Sequence, residues 1–310
     1  MASGQQINLA KSSVFFSANT REDIRCSICS SLNIPEAGPS SLYLGLPNIL
    51  GRNKSVLLGY LRDKMRNRIE QWEGRLLSKA GKEVLIKTVA QSLPSYAMSV
   101  FLLPKNLCAD MERLMCRYWW RGSSRNGKSI HWKRWESLTV HKIKGGMGFR
   151  DLGDFNRALL CKQSWRLLCN PESLVGRVYK ARYYKNSSFL GAKIGSNPSY
   201  IWRSLLEVKP LIIQGARWHV GNGESIKVIS DPWLLDESNP CVTTFHPSLV
   251  DAKVSALMHV ERGGWDVDLV HDIFNERDAS CILNIPLSPN RDRDCWYWSF
   301  ETSGYFSVKF

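Results

Sequence analysis

The spacing of apolar and polar positions divides the chain into a short β-rich start and a long helical stretch. Residues 7–16 end in β-branched and aromatic side chains and predict a strand, and residues 41–47 form a second apolar run between turn-forming residues. Residues 20–31 predict a short helix between these two runs. After Gly51 the apolar residues recur every three or four positions, which predicts helices.

One predicted helix has a well-defined apolar face. Its members recur at steps of three and four and therefore lie on one side of a helix; they are Leu58, Leu61, Met65, Ile69 and Trp72. Similar spacing predicts further helices over 79–92, 107–120 and 154–170. Ser78 is a suitable N-cap for the first of these, because its hydroxyl can accept a hydrogen bond from a free backbone N–H.

The C-terminal third has a different pattern. Residues 216–233 predict a β-hairpin, because two strand-like runs flank Gly221-Asn222-Gly223 and Asn-Gly favours a tight turn. Together the elements predict an α+β fold that is mostly helical. Its parts are a short β-rich start, a long helical stretch and a small C-terminal region that contains the hairpin.

The composition predicts a folded protein of a reducing compartment inside the cell. Apolar residues make up 44% of the 310 residues, which excludes wholesale disorder, and the length suits about two domains. No run approaches the roughly 20 apolar residues of a membrane span, and the first residues lack the layout of a signal peptide. Nine scattered Cys residues do not resemble a secreted disulfide framework. We therefore expect no membrane partner.

The net charge of +14 comes from one central block. Residues 52–185 hold 28 Lys and Arg against 10 Asp and Glu, whereas residues 186–310 hold 11 against 15. The block is also rich in Trp and Tyr. Basic side chains neutralise phosphates and aromatic rings stack on bases, so the block suits a nucleic-acid partner. A solvated basic surface over a Trp-rich core explains the same composition, and charge alone does not separate the two.

Sequence motifs for catalysis are scarce. There is no phosphate-binding P-loop, no Gly-x-Ser-x-Gly and no His-Glu-x-x-His. Cys26 and Cys29 form a close pair without a second Cys or His pair at zinc spacing, and we interpret them as ordinary thiols. No strand-borne Asp-Asp pair suited to two metal ions is present. We therefore predict no metal or cofactor site in this chain.

Three long strings resemble the reverse transcriptases of plant LINE-type, non-LTR retrotransposons. Residues 69–104, IEQWEGRLLSKAGKEVLIKTVAQSLPSYAMSVFLLP, resemble the thumb of these enzymes. WWRGSSRNGKSIHWKRWESL followed by KGGMGFRDLGDFNRALLCKQSWRLL, and then ARWHVGNGESIKVISDPWL, resemble the segment after that thumb. The resemblance covers nearly the whole chain. It implies an internal part of an RNA-directed DNA polymerase and a nuclear location.

The resemblance also implies a domain division. The parts are a palm remnant at 1–50, a thumb-like helical bundle at 51–122, a basic loop with a helical connection at 123–215, a β-hairpin at 216–238, and a linker with the start of a zinc-binding domain at 239–310. The fold expected is therefore a palm β remnant, a thumb bundle, a helical connection and a small C-terminal region.

Two N-terminal segments resemble parts of the family's active site. Residues 3–12 resemble the palm motif after the catalytic aspartates, whose lysine, here Lys11, is implied to donate a proton to the leaving pyrophosphate. Tyr43, Leu44 and Gly45 resemble the primer grip, a tight β turn. An exposed strand lysine and an ordinary buried strand are the alternatives. We favour the exposed lysine for Lys11, because no metal ligands lie nearby in the sequence.

The family's metal-binding aspartates precede the motif at residues 3–12, and the chain begins two residues before that motif. Two Mg²⁺ ions are thus implied for the full-length enzyme only, and we expect this chain to be inactive as a polymerase by itself. Trp298 and residues 305–309 resemble the opening strand of a zinc-binding domain. The palm and fingers upstream, and the zinc-binding and ribonuclease H-like parts downstream, are its implied partners.

The thumb of the family grips the template–primer duplex through its backbone. We expect the basic flanks of the predicted thumb helices to make such sequence-independent contacts with a duplex or with RNA. The candidates are Arg62, Lys64, Arg66, Arg68, Arg75, Lys79, Lys82 and Lys87. Among the Trp residues, 72, 165 and 202 are predicted in the core, while Trp119, Trp120 and Trp132 are better placed for stacking, although the core is favoured for them too.

Two other interpretations of the chain remain open. The first is a stand-alone module that binds nucleic acid without regard to sequence. The second is a decayed gene product without function. The salt dependence of binding separates these two, because phosphate contacts release counterions and an unrelated surface does not.

Overall fold

The computed structural model describes residues 8–17, 19–38, 41–43, 46–47, 54, 58–72, 77–121, 130–259, 264–287 and 292–308. Helices α1 to α11 are, in chain order, Glu22–Leu32, Tyr60–Glu70, Lys79–Leu85, Ser95–Met98, Lys105–Trp120, Trp135–Thr139, Leu152–Cys169, Leu174–Tyr183, Tyr200–Gly215, Val267–Ile273 and Glu276–Leu283. Strands β1 to β4 are Leu42–Tyr43, Leu46–Pro47, Ala216–His219 and Cys295–Trp298. The predicted fold class, α+β and mostly helical, is confirmed. No helix among the described residues has the length and apolar content needed to cross a bilayer.

The strand predicted over residues 7–16 is wrong. Leu9–Lys11 form a 3₁₀ turn, and the side chain of Asn8 caps it by accepting a hydrogen bond of 3.2 Å from the backbone N–H of Lys11. Asn side chains compete in this way with strand pairing. Within residues 8–17, Val14 alone pairs, in an isolated bridge with Glu36. The helix predicted over 20–31 is confirmed as α1.

The first hydrophobic core lies between α2, α3, α4, α5 and the start of α7. All members of the predicted apolar face are at most 8% exposed; they are Leu58, Leu61, Met65, Ile69 and Trp72. α2 packs on α5 through this face. The hydroxyl of Ser78 accepts a hydrogen bond of 3.2 Å from the N–H of Gly81, so the predicted N-cap of α3 is confirmed.

The second core forms where α7 packs against α9. Trp202 of α9 is fully buried and its ring stacks on Tyr183, with centroids 4.7 Å apart. Gly215 ends α9 directly beneath the ring of Trp298, where a Cβ atom would lie 2.5 Å from the indole. A side chain at this position would push β4 away, so glycine is required for the close approach.

The hairpin predicted over residues 216–233 is wrong, because β3 pairs with a strand far away in the sequence. β3 and β4 are antiparallel, with Trp218 opposite Trp296; we call this pair the ribbon. The loop that contains Gly221 and Gly223, which we call the glycine loop, binds the carboxylate of Asp294 instead of forming a hairpin turn. The N–H groups of Gly221 and Gly223 donate to its Oδ1 at 2.8 and 2.9 Å, and that of Ser225 donates to Oδ2 at 2.8 Å.

Residues between the two strands of the ribbon build a third core of their own. It contains fully buried apolar side chains, among them Ile226, Val254 and Ile282. Asp278, which is 0% exposed, anchors the preceding loop by accepting hydrogen bonds from the N–H groups of Thr243 and Thr244 at 2.8 and 2.7 Å. The core therefore holds together a segment that leaves β3 and returns at β4.

Candidate nucleic-acid interface

Lys11, the proposed proton donor, lies at the end of the 3₁₀ turn and is exposed. Its ammonium makes no hydrogen bond or ion pair within the described part of the chain. Among the described residues, no three His, Cys, Asp or Glu side chains come together in a way that could hold a metal ion. A catalytic role for Lys11 stays a prediction.

Of the three primer-grip residues, the structure describes Tyr43. Tyr43 ends β1 and lies opposite Leu46 of β2. The single strand predicted for residues 41–47 is therefore two short strands. Leu44 and Gly45 lie between them, outside the described residues, so the primer grip also stays a prediction.

Two of the four basic residues of α2 pair with the same acid. The carboxylate of Asp63 lies 3.1 Å from Arg62 and 3.5 Å from Arg66. Arg68 donates a hydrogen bond of 3.2 Å to Gln71. Lys64 is exposed and lines, with Arg68, a cleft of about 670 Å³. Of these four side chains, Lys64 and Arg68 are those without an acidic partner among the described residues.

Lys79 and Lys82, at the start of α3, bind the end of α5. Lys79 donates a hydrogen bond of 2.6 Å to the carbonyl of Trp119, and Lys82 donates to the carbonyl of Arg121. Burial lowers the pKa of Lys79. Burial, together with repulsion from Lys79 and Arg121, lowers the pKa of Lys82. Three cations therefore crowd around one helix terminus.

Lys87, one turn further along, is internally paired. Its ammonium lies 2.9 Å from Glu83, and Lys142 binds the same carboxylate at 2.7 Å. Hydrogen bonds from Lys142 and from Lys87 lower the pKa of Glu83. Arg75 lies outside the described residues. The structure thus brings Lys79 and Lys82 together and leaves Lys87 paired and less free to bind a phosphate.

Residues 130–146 form an exposed basic arm, in which the sequence analysis singled out Trp132 alone. The side chain of Trp132 is 75% exposed, whereas Trp119 is 6% exposed. The core position favoured for Trp132 is therefore wrong and that for Trp119 is confirmed. The arm carries four Lys and Arg residues and one acid, Glu136; the basic ones are Lys133, Arg134, Lys142 and Lys144. The sequence gives little signal for this exposure, because Trp135, three positions further on in the same basic segment, is 6% exposed.

Hydrogen bonds join the basic arm to the end of α5. The indole N–H of Trp120 donates to the carbonyl of Lys133 at 3.1 Å. The ammonium of Lys133 donates to the carbonyl of Gly145 at 3.0 Å, which brings both ends of the arm together. We call the resulting surface the basic face; its residues are Lys79, Lys82, Arg121, Trp132, Lys133 and Lys144.

Comparison with known proteins gives two similar sequences, both from Arabidopsis thaliana, and no protein-family model matches the chain. "Uncharacterized mitochondrial protein AtMg00310" is 42% identical over 148 residues, which are 47% of this chain and 96% of that protein. "Putative ribonuclease H protein At1g65750" is 28% identical over 275 residues, which are 85% of this chain and 43% of that protein.

The two similarities relate the chain to plant proteins. The ribonuclease H name of the second relative agrees with the downstream part that the retrotransposon resemblance implies. The first similarity extends over nearly the full length of the relative at a high identity. The chain therefore belongs to the same family as the uncharacterized mitochondrial protein AtMg00310 of Arabidopsis thaliana.

Proposed function

We propose that this chain is the nucleic-acid-gripping part of a retrotransposon-encoded RNA-directed DNA polymerase, which holds a template–primer duplex or RNA by its backbone. The crowding of Lys79, Lys82 and Arg121 around the end of α5 carries the proposal. Cations held close together in this way create a positive potential that attracts a phosphate backbone. Within the described residues, Lys79 and Lys82 bind main-chain carbonyls and no carboxylate.

The same lysines keep donors available for a ligand. An ammonium group has three N–H donors, so a single carbonyl contact leaves further donors for phosphate oxygens. The basic arm adds Lys133 and Lys144, and the exposed ring of Trp132 offers a surface for an unpaired base. Contacts of this kind position a nucleic acid without reading its sequence.

Polymerase chemistry belongs, in this proposal, to a longer protein. The described residues do not fit the Mg²⁺ ions of the full-length family enzyme, because no three potential ligand side chains come together among them. The proposed grip therefore depends on side chains of this chain and on no metal ion. The nuclear location is part of the same proposal and is tested with a fluorescent fusion.

A second candidate function is a free-standing nucleic-acid-binding module. The observation that favours it is the size of the first relative, 96% of which is covered by 148 aligned residues. A protein of about that length therefore carries a large part of this sequence by itself. Binding of duplex or RNA by the purified chain alone, without primer extension in Mg²⁺, is the expected behaviour of such a module.

The test of the grip is the salt dependence of duplex binding, measured by fluorescence anisotropy. We expect the logarithm of the affinity to fall linearly with the logarithm of the salt concentration, with a slope of roughly 0.9 per phosphate contact. The double variant K82Q/K144Q should lower that slope by about 1.8, because two contacts are lost. The control K105Q/K193Q removes two exposed lysines outside the basic face. A flat salt response, or an equal loss in the control, contradicts the proposal.

A further inference from the structure

A second cleft, of about 880 Å³, lies between the end of α7, residues 184–191 and the ribbon. Two of its lining residues, Trp218 and Trp296, face each other across the ribbon with ring centroids 4.1 Å apart. Tyr184 also lines the cleft, but its side chain is 6% exposed and its ring stacks on Trp202, so it offers no face to a base. The two indoles are half-buried and tilted by 33° to each other, and a base can stack on the part of either ring that faces the cleft.

Lysines surround this aromatic surface. Lys180 is exposed, and its ammonium makes no hydrogen bond or ion pair within the described part of the chain. Lys227 lies 3.5 Å from Asp251, whose side chain is 88% exposed, so that water weakens this pair. Lys253 donates to the carbonyl of Ser225 at 3.3 Å. All three lysines can reach a phosphate at the edge of the cleft.

Two acids also line the cleft, and both are engaged by the protein backbone. Asp294 accepts the three N–H groups of the glycine loop at 2.8 to 2.9 Å. Asp231 accepts the N–H of Lys227 at 2.7 Å. Their hydrogen bonds hold these carboxylates in place, and Asp231 also interacts with the charges of Lys253 and Lys227. Three lysines against two acids leave the lining with a small positive charge.

We propose that this cleft binds a single-stranded segment of nucleic acid, with one or two bases stacked on Trp218 and Trp296 and phosphates bound by Lys180 and Lys227. The volume is within the range of ligand sites, about 300 to 1,000 Å³, and is enough for one or two nucleotides. A duplex does not fit this chemistry, because its bases already stack on one another. The proposal concerns residues outside the basic face and does not depend on the grip.

The experiment measures anisotropy of labelled dT₁₂ and U₁₂ strands on the full chain, so that DNA and RNA are compared. The variant K180Q/K227Q should bind the preferred strand more weakly and lower its salt slope by about 1.4, because single strands contribute roughly 0.7 per contact. Its affinity for duplex should not change. The control K105Q/K193Q changes the net charge equally outside the cleft.

A second variant tests the stacking surface. Trp296→Leu should weaken single-strand binding at least about fivefold, because one stacked base is lost. Urea unfolding of Trp296→Leu shows whether the ribbon still forms. If it does not form, the binding of K180Q/K227Q tests the proposal instead. Single-strand binding by K180Q/K227Q equal to that of the control overturns the proposal. The basic-face variant K82Q/K144Q, measured on the same strands, separates a failure of the grip from a failure of the cleft.

Discussion

The ammonium group of Lys79 donates a hydrogen bond of 2.6 Å to the carbonyl oxygen of Trp119, across the junction of α3 and α5. This carbonyl is among the last four of α5, which have no partner within the helix. A cation at this end also interacts favourably with the helix dipole. The same ammonium lies 4.7 Å from the ring of Trp119. Lys79 is therefore both a helix cap and a member of the basic face.

Replacing Lys79 by Gln should lower the free energy of unfolding by about 1 kcal/mol, because the capping contact and the charge at the helix end are lost. Urea unfolding followed by circular dichroism measures this change. Lys64→Gln is the control, since Lys64 is an exposed lysine of α2 and not of α3. Equal stability of the two variants would show that the Lys79 contact contributes nothing.

Replacing Trp132 by Ala should weaken binding of single-stranded nucleic acid by about 1 to 3 kcal/mol for one stacked base. Its stability should stay unchanged, because the side chain is 75% exposed and loses little packing. Phe245→Ala removes another exposed aromatic ring, 79% accessible, outside the basic face. The stacking role of Trp132 fails if both variants bind a single strand with the affinity of the parent chain.

Glu112 of α5 should make the protein less stable at alkaline than at mildly acidic pH. Its carboxylate accepts the N–H of Leu152 at 2.7 Å, and burial raises its pKa to about 7 despite this bond. The folded chain therefore binds more protons than the unfolded chain between the ordinary pKa of 4.5 and about 7. Stability from this group is present at low pH and is lost as the pH rises through that window.

Urea unfolding at about pH 5 and about pH 8 measures the effect, which should be about 1 to 2 kcal/mol after allowance for solvent screening. Glu112→Gln should reduce the difference between the two pH values, because the amide keeps an acceptor for Leu152 and carries no charge. An unchanged pH dependence in Glu112→Gln would assign the effect to other groups.

Asp278→Asn should destabilise the third core by about 2 to 4 kcal/mol. The buried carboxylate accepts from the N–H groups of Thr243 and Thr244 and pairs with Arg277 at 2.7 Å. An amide cannot accept all these hydrogen bonds, and it leaves the Arg277 guanidinium with Asp236, at 2.7 Å, as its remaining acidic partner. Thermal unfolding measures the loss. The exposed Asp272→Asn is the control, and a similar melting temperature in both would contradict the anchoring role.

The sequence predicted what short-range spacing determines. The apolar face around Met65 and the N-cap Ser78 follow from residues within a few positions of one another, and the structure confirms both. The hairpin prediction failed because the partner of β3 lies at Cys295–Trp298. The residues of a strand favour extended backbone but do not specify which other strand it pairs with. The backbone of the loop at Gly221 instead donates a hydrogen bond to the carboxylate of Asp294, which lies next to that distant strand.

At the candidate site, too, short-range features were predictable from the sequence and long-range contacts were not. Periodicity placed Lys79 and Lys82 on the flank of one helix, which is where they lie. It could not show that their ammonium groups reach the carbonyls at the end of α5, since that contact depends on how two helices cross. Nor could periodicity show that Trp132 is exposed, because the exposure of a side chain depends on which other parts of the fold pack against it.

The pairing of β3 with β4 makes the intervening segment separable in principle from the rest of the molecule. Residues 220–294 leave and return at adjacent points, and they carry their own core. This is the topology of an inserted module. A two-residue turn in its place would join β3 directly to β4 as a hairpin, with Trp298 still packed over Gly215. The helical layer of α7 and α9 would then be free to gain or lose such a module without refolding.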